Sequence, residues 1–292
     1  MAMTACGFGL VLLAVAAAAQ SGALVRPAPF ASFGALAAGN GGLGAAHLRA
    51  INGQDADRGQ FPHQVGLYVD MATFCGGALI SPKWILTAGT CTGKEPYGSR
   101  YTAFLGALNI NLPAEKGRIA VTTTWAYIHD QFDAETYQND VALILLPRAV
   151  KTTDSIKPLN LPPQSYASKD FDGVGFQLSG WGYRSDDAAA IAPVLQVIQL
   201  QGVSKKVCVN TYSYEVYTDN ILCCQGANKQ SPCQGDTGGA LVQQESDGSY
   251  THIAVASFTP GKGCSTGLPA GFTKTASYLD WISSKTGLPT KP

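Results

Sequence analysis

Beyond residue 50 the chain runs in short apolar-rich stretches, broken repeatedly by glycine, proline, asparagine or aspartate. Short strands separated by turn clusters are the signal of an all-β body. The predicted strands cover 61–69, 73–80, 84–87, 101–105, 119–124 and 141–146 in the first half. In the second half they cover 175–179, 194–200, 221–224, 240–244, 252–258 and 271–274. Near the C-terminus Tyr278, Leu279, Trp281 and Ile282 cluster as on one helical face, which predicts a short helix over 277–285.

The first 49 residues follow neither pattern. Residues 8–19 form one apolar run ending in alanines, too short to span a bilayer and typical of a secretory signal peptide over 1–19, although no positive charge precedes it. Residues 20–49 are rich in alanine, glycine and proline and contain no cysteine, which reads as a flexible propeptide or linker before a domain over 50–292. Secretion places the protein outside the cell, in an oxidising compartment where its cysteines pair; Cys6 leaves with the signal peptide, so an odd number remains.

Three motifs carry the chemistry. Cys233-Gln234-Gly235-Asp236-Thr237-Gly238-Gly239-Ala240 resembles the C-x-G-D-S-G-G-P nucleophile loop of the chymotrypsin/trypsin family of serine proteases. Asn139-Asp140-Val141-Ala142-Leu143 resembles that family's triad-aspartate segment, and Leu86-Thr87-Ala88-Gly89-Thr90-Cys91 its triad-histidine segment. Gly180-Trp181-Gly182 matches the G-W-G that opens the second half of the family's domain. The resemblance spans about residues 50–286 and implies two six-stranded antiparallel Greek-key β-barrels with a short C-terminal helix. Val69, Phe74-Cys75-Gly76-Gly77, Leu105-Gly106-Ala107 and the Ile51-Asn52-Gly53-Gln54 start most resemble the secreted collagenase- and chymotrypsin-like proteases of arthropods.

The departures from the family pattern decide the expected function. The histidine position is Thr90 and the serine position Thr237, leaving Asp140 as the one triad member present. Threonine has no group that titrates near neutrality, and an alcohol without a base is a poor nucleophile. His63, His129 and His252 fall in segments where the resemblance implies structural histidines, and His47 lies in the propeptide. The resemblance places oxyanion-hole donors at Gly235 and Thr237. It places an activation cut between Arg49 and Ala50, whose new amino group would pair with Asp236; the large aliphatic residue usual at that position is here Ala50. The specificity-pocket positions are Ser231, Ser257, Phe258, Thr259 and Ala270, a narrowed and uncharged pocket. The implied disulfides are Cys75–Cys91, Cys208–Cys223 and Cys233–Cys264, with Cys224 the odd cysteine, either buried or paired with another chain.

The expected protein is a secreted homologue of serine proteases without catalysis, binding or regulating extracellular proteins: cascade proteases, their inhibitors or surface ligands. Two alternatives stand beside it, a weak hydrolase using Thr237 with an unconventional base and a structural or storage protein. The formal net charge is zero, which gives no electrostatic footprint for nucleic acid or an acidic membrane. No cofactor and no metal is expected; Glu115 is the one carboxylate in the 109–118 loop, and a hard cation needs several oxygens. The mature chain is expected to be a monomer.

Overall fold

The computed structural model describes residues 53–92 and 99–292. The expectations for 1–19, 20–49, Arg49 and Ala50 fall outside the described residues.

Two antiparallel sheets account for most of the body. The first contains β2 (Gln64–Val69), β3 (Thr73–Ser81), β4 (Trp84–Thr87), β5 (Tyr101–Leu105), β6 (Ile119–Thr123), β7 (Ala126–Ile128) and β8 (Ala142–Leu145), in the order β6-β5-β2-β3-β4-β8-β7. Only Thr124 and Trp125 separate β6 from β7, so one bent segment supplies both ends of the order. The second contains β1 (Gln54–Asp55), β9 (Gly175–Gly180), β10 (Gln196–Gly202), β11 (Ile221–Gly226), β12 (Ala240–Gln244), β13 (Tyr250–Phe258) and β14 (Ala270–Lys274). Its order is β1-β10-β11-β14-β13-β12-β9, and β9 pairs back onto β10, closing six strands with the two-residue β1 added outside. Each half is thus a barrel of six strand segments, which is the trypsin-like architecture. Closure leaves few free strand edges, the reason such folds tolerate so many short strands.

The apolar side chains of these strands fill each barrel. Val65, Leu67, Leu79, Ile85, Leu105 and Leu143 fill the first, and Phe176, Leu178, Ile198, Leu241, Ile253 and Phe272 the second. A third cluster draws on both sheets, with Phe61, Ala78 and Leu159 against Trp181, Val197 and Val242. Across the same seam Ser179 Oγ donates to Gln64 Oε1 at 2.6 Å, a buried bond between the barrels. Burial on this scale supplies the main driving force, at roughly 25 cal/mol per Å² of apolar surface.

Two helices complete the fold. α2 (Leu279–Thr286) buries Leu279 and Ile282 and stops at Gly287, whose φ of +72° supplies the left-handed turn that caps it. Ile282 and Tyr278 join the core of the first barrel, so the helical face legible in the sequence packs there. α1 (Lys205–Val216) is not foreseen by the pattern: it carries no sustained apolar stripe, and Ser213 breaks it at a φ of +71°. The Cys208–Cys223 bond and the contact of Tyr212 with Phe258 hold it in place, so tertiary ties replace local preference. Among the described residues no helix is long and apolar enough to cross a membrane.

Candidate active site

The site lies where both barrels deliver loops to one place. β4 runs into a single 3-10 turn, Gly89–Cys91, which presents Thr90. The chain before β8 presents Asp140, placed by Asn139 at a φ of +55°. Asn139 is itself fixed on both sides: its Nδ2 donates to Gln131 O at 2.8 Å, and Tyr278 Oη donates to its Oδ1 at 3.0 Å.

Asp140 is completely buried and fully engaged. Thr90 N donates to its Oδ1 at 2.8 Å, Thr90 Oγ1 to its Oδ2 at 3.2 Å, and Ser257 Oγ from β13 to the same oxygen at 2.5 Å. Burial pushes the carboxyl up to about 6, against the opposing pull of Ser257 and Thr90. Hydroxyl and backbone donors surround it, and among the described residues no cation pairs with it.

The Cys233–Ala240 segment forms the opposite wall. Gly235 and Gly238 stand at φ of +96° and +85°, and a Cβ on Gly238 would collide with Thr87 Oγ1 and Gly76 O. These glycines let the turn fold tightly against β3 and β4. Gly76 N donates to Thr237 O at 2.7 Å, and Cys91 Sγ lies 3.4 Å from the same oxygen, so Thr237 sits beside the residue that follows Thr90. Among the described residues, the N–H groups of Gly235 and Thr237 donate to no acceptor. A pair of unpaired N–H groups on one turn is a ready receptor for a carbonyl or oxyanion.

Asp236 points inward from the same turn. Gly182 N donates to its Oδ1 at 2.8 Å and Cys233 N to its Oδ2 at 3.0 Å. Any Cβ on Gly180 or Gly182 would collide with that carboxylate, which is why both glycines of Gly180-Trp181-Gly182 are required. Burial pushes Asp236 up to about 6.

The pocket positions diverge. Ser231 is buried with its hydroxyl donating to Pro232 O at 3.0 Å, and the Ser257 hydroxyl is committed to Asp140. The Phe258 ring lies across Gly271, where a side chain would collide with it, and meets the rings of Tyr137 at 5.4 Å and Tyr212 at 4.9 Å. Ala270 is buried opposite Cys224, and Thr259 is half-buried.

The histidines among the described residues are His63, His129 and His252. His63 and His252 are buried in the body, and His252 Nδ1 is 2.9 Å from Thr275 Oγ1. His129 packs its ring on Tyr278 and Trp281 at 5.3 Å each. Among the described residues none of the three hydrogen-bonds Asp140 or Thr237.

The structure contains the bonds Cys75–Cys91, Cys208–Cys223 and Cys233–Cys264, and Cys224 is free and buried. Burial raises the Cys224 thiol well above its ordinary value, so it is unreactive and out of reach of a second chain. Asp186, Cys233 and Cys264 bring potential metal-ligand atoms together, but both sulfurs are committed to one disulfide. Sequence reasoning misses Arg58: it pairs with Glu115, while Leu108 N and Asn109 N donate to the same carboxylate. Nothing in the local sequence joins residues so far apart.

Comparison with known proteins agrees with this geometry. The Trypsin family model matches residues 50–282. The chain is 34% identical over 244 residues to "Collagenase" of Hypoderma lineatum, covering 82% of this chain and 88% of that protein. It is also 34% identical over 242 residues to "Brachyurin" of Leptuca pugilator, covering 82% and 99%. A solved structure of HL collagenase superposes with a TM-score of 0.71 at 33% identity, over 82% of this chain and 99% of that one. With the fold, the nucleophile-loop geometry and these likenesses in agreement, the chain belongs to the trypsin family of chymotrypsin-like serine proteases.

Proposed function

We propose that this family member is a secreted, proteolytically processed homologue that has lost peptide hydrolysis and works by binding other extracellular proteins. The observation that carries the reading is the Asp140 carboxyl, whose bonds go to Thr90 and Ser257 rather than to an imidazole. In an active member the aspartate fixes the tautomer of a histidine that accepts the nucleophile's proton. Among the described residues no histidine hydrogen-bonds Thr237, and the threonine methyl further restricts rotation of its hydroxyl. The unpaired N–H groups of Gly235 and Thr237 leave a docking point for a peptide carbonyl, which suits a protein that engages protease partners or their inhibitors without cutting.

The reading is tested by incubating the mature protein with chymotrypsin-, trypsin- and elastase-type peptide substrates and with a fluorophosphonate probe. Hydrolysis at background and absence of labelling are expected, since both need an activated hydroxyl. Stoichiometric labelling of Thr237 would overturn it.

In the same reading residues 1–19 are a signal peptide, 20–49 a propeptide, and cleavage after Arg49 frees the amino group of Ala50 to meet Asp236. That buried carboxylate accepts from Gly182 N and Cys233 N, and a cation beside it would offset the cost of its burial. Limited trypsin digestion should therefore cut first at Arg49–Ala50, ahead of a protease-resistant body. N-terminal sequencing of the stable fragment checks this, and a fragment beginning elsewhere places the boundary wrongly.

A further inference from the structure

The loop between Gly182 and Ala192 wraps the turn that carries Thr237. At its entry Gly182 N donates to Asp236 Oδ1 and Tyr183 N donates to Gln234 O, both at 2.8 Å. Tyr183 also packs against the Cys233–Cys264 disulfide. The loop turns at Ser185, where Ala188 N donates to its carbonyl at 3.2 Å. On its return Ile191 lies over the face of Gly235, within 3.1 Å of where a Cβ would sit, and Ala192 N closes onto Trp181 O at 2.8 Å. Both ends of the loop therefore touch the Gln234–Asp236 segment.

The crest is tied elsewhere. Asp186 Oδ1 accepts from Cys264 N at 2.6 Å and Oδ2 from Ser265 N at 3.1 Å. These are the first donors of the one-turn 3-10 helix Cys264–Thr266, so the carboxylate caps it from 78 residues away in sequence. Gly263 makes room for that approach: it stands at a φ of +112°, and a Cβ there would press within 2.9 Å of the carboxylate. Hydrogen bonds from the Ser265 side chain and from the Cys264 and Ser265 N–H groups hold Asp186 below the usual carboxylate range. Cys264 leads straight back, through its disulfide, to Cys233 at the start of the nucleophile-position turn.

We propose that Asp186 is a positioning residue: by strapping the crest of this loop to Cys264 and Ser265, it fixes the Gln234–Thr237 turn that carries the N–H groups of Gly235 and Thr237. The ligand it serves is a peptide carbonyl presented by a protein partner, a point that rests on the binding function proposed above. Without the strap, Tyr183 and Ile191 lose the fixed loop that presses them onto the turn, and the turn gains freedom it lacks in the intact protein. A local cap on an exposed loop would instead loosen that loop alone.

The experiment uses the full chain with Asp186→Ala, Asp186→Asn and the neighbouring control Asp187→Ala. Amide hydrogen exchange is followed by mass spectrometry in peptides covering 184–191 and 233–238, beside Tm and the binding of a Kunitz-type protease inhibitor as probe. Asp186→Ala should speed exchange in 233–238 by about tenfold while Tm moves by no more than about 3 °C. Asp186→Asn, which keeps acceptor oxygen, should fall between, and Asp187→Ala should match the parent. Unchanged exchange in 233–238, or a rise spread evenly over both barrels, would overturn the positioning role. If the parent protein does not bind the inhibitor, the binding reading of the turn fails, while the exchange result still decides the role of Asp186. If the parent binds, affinity should drop about tenfold in Asp186→Ala and be partly regained in Asp186→Asn.

Discussion

Restoring both absent side chains, Thr90→His together with Thr237→Ser, should produce weak peptide hydrolysis, and either change alone should produce none above background. Base and nucleophile act as a unit: in a comparable hydrolase, losing one costs about as much as losing all, roughly a millionfold in turnover. In the double variant an imidazole at position 90 would replace the Thr90 hydroxyl on Asp140 Oδ2, an oxygen that Ser257 already shares. The serine would stand beside the N–H groups of Gly235 and Thr237, so the parts needed for acyl transfer would be present. Two obstacles keep the rate low. Phe258 lies against Gly271 and packs on Tyr137 and Tyr212, and in the proposed reading Thr259 and Ala270 narrow the specificity pocket. In the proposed activation, Ala50 would also be a poor aliphatic anchor for the new N-terminus, at a typical cost of about 2–5 kcal/mol for losing a buried side chain. Measured as kcat/KM on a chymotrypsin-type peptide, the double variant should remain at least about a hundredfold below an unimpaired relative. Parity with such a relative would show that only the triad has changed.

Acid should act on this protein through two opposed pairs of buried groups. His63 and His252 lie in the buried interior, their Nε2 atoms without partners among the described residues. Phe61 and Tyr250 face His63, and Thr275 faces His252. Burial holds both imidazoles neutral, pushing each down to about 3, with the charge of His63 adding to the effect on His252. Unfolded, they would protonate near 6.5, so their contribution is complete above that pH and is lost as pH falls toward 3. Asp140 and Asp236, raised to about 6, act in the other sense. Folded, they take up protons before the unfolded chain does, so acidification from 6 to 4 relieves their burial. At 1.36 kcal/mol per pH unit, the histidines lose together about 7 kcal/mol by pH 4 and the aspartates recover about 5. The two effects largely offset, so the uncut protein should lose only about 2 kcal/mol between pH 6.5 and 4. With His63→Gln and His252→Gln combined, stability should rise on acidification over that interval by about 5 kcal/mol, read by urea unfolding at each pH. An identical pH profile in parent and variant would mean the imidazoles are already charged in the folded state. Below about pH 4 the exposed Asp70, Asp133, Asp219 and Asp247, all held low by hydrogen bonds, add a separate loss.

Short apolar stretches and glycine placement made most of the fold legible in the sequence. Residues 84–87, 101–105 and 240–244 stand in the structure with the bounds read from their pattern. At the site, the motif around Thr237 located a turn whose glycines have the backbone angles that turn needs. What escaped was long-range. α1 has little local preference and is held by Cys208 and Tyr212, while β1 and β7 are too short to show a period. Asp186 looks like any loop aspartate until the fold brings Cys264 beside it. Phe258 and Gly271 are likewise uninformative separately, and only their pairing across β13 and β14 explains why the end of a ring occupies the space beside a glycine.

Adjacent Cys223 and Cys224 carry a consequence for how the chain reaches this structure. In β11, Ile221 and Cys223 face α1 and Cys208, while Leu222 and Cys224 face the interior of the second barrel with Ala270 and Phe272. Successive residues of a strand point to opposite faces, so choosing the wrong one of two neighbouring thiols is also choosing the wrong register. A Cys208–Cys224 crosslink would turn Leu222 out of the barrel and bring Ile221 in, and every later residue of the strand would follow. Pairing β11 with β14 before oxidation thus acts as proofreading: the sheet hides one sulfur and offers the other. Thiol chemistry that runs ahead of strand pairing would trap the isomer, and reshuffling through the still-free cysteine is the way back.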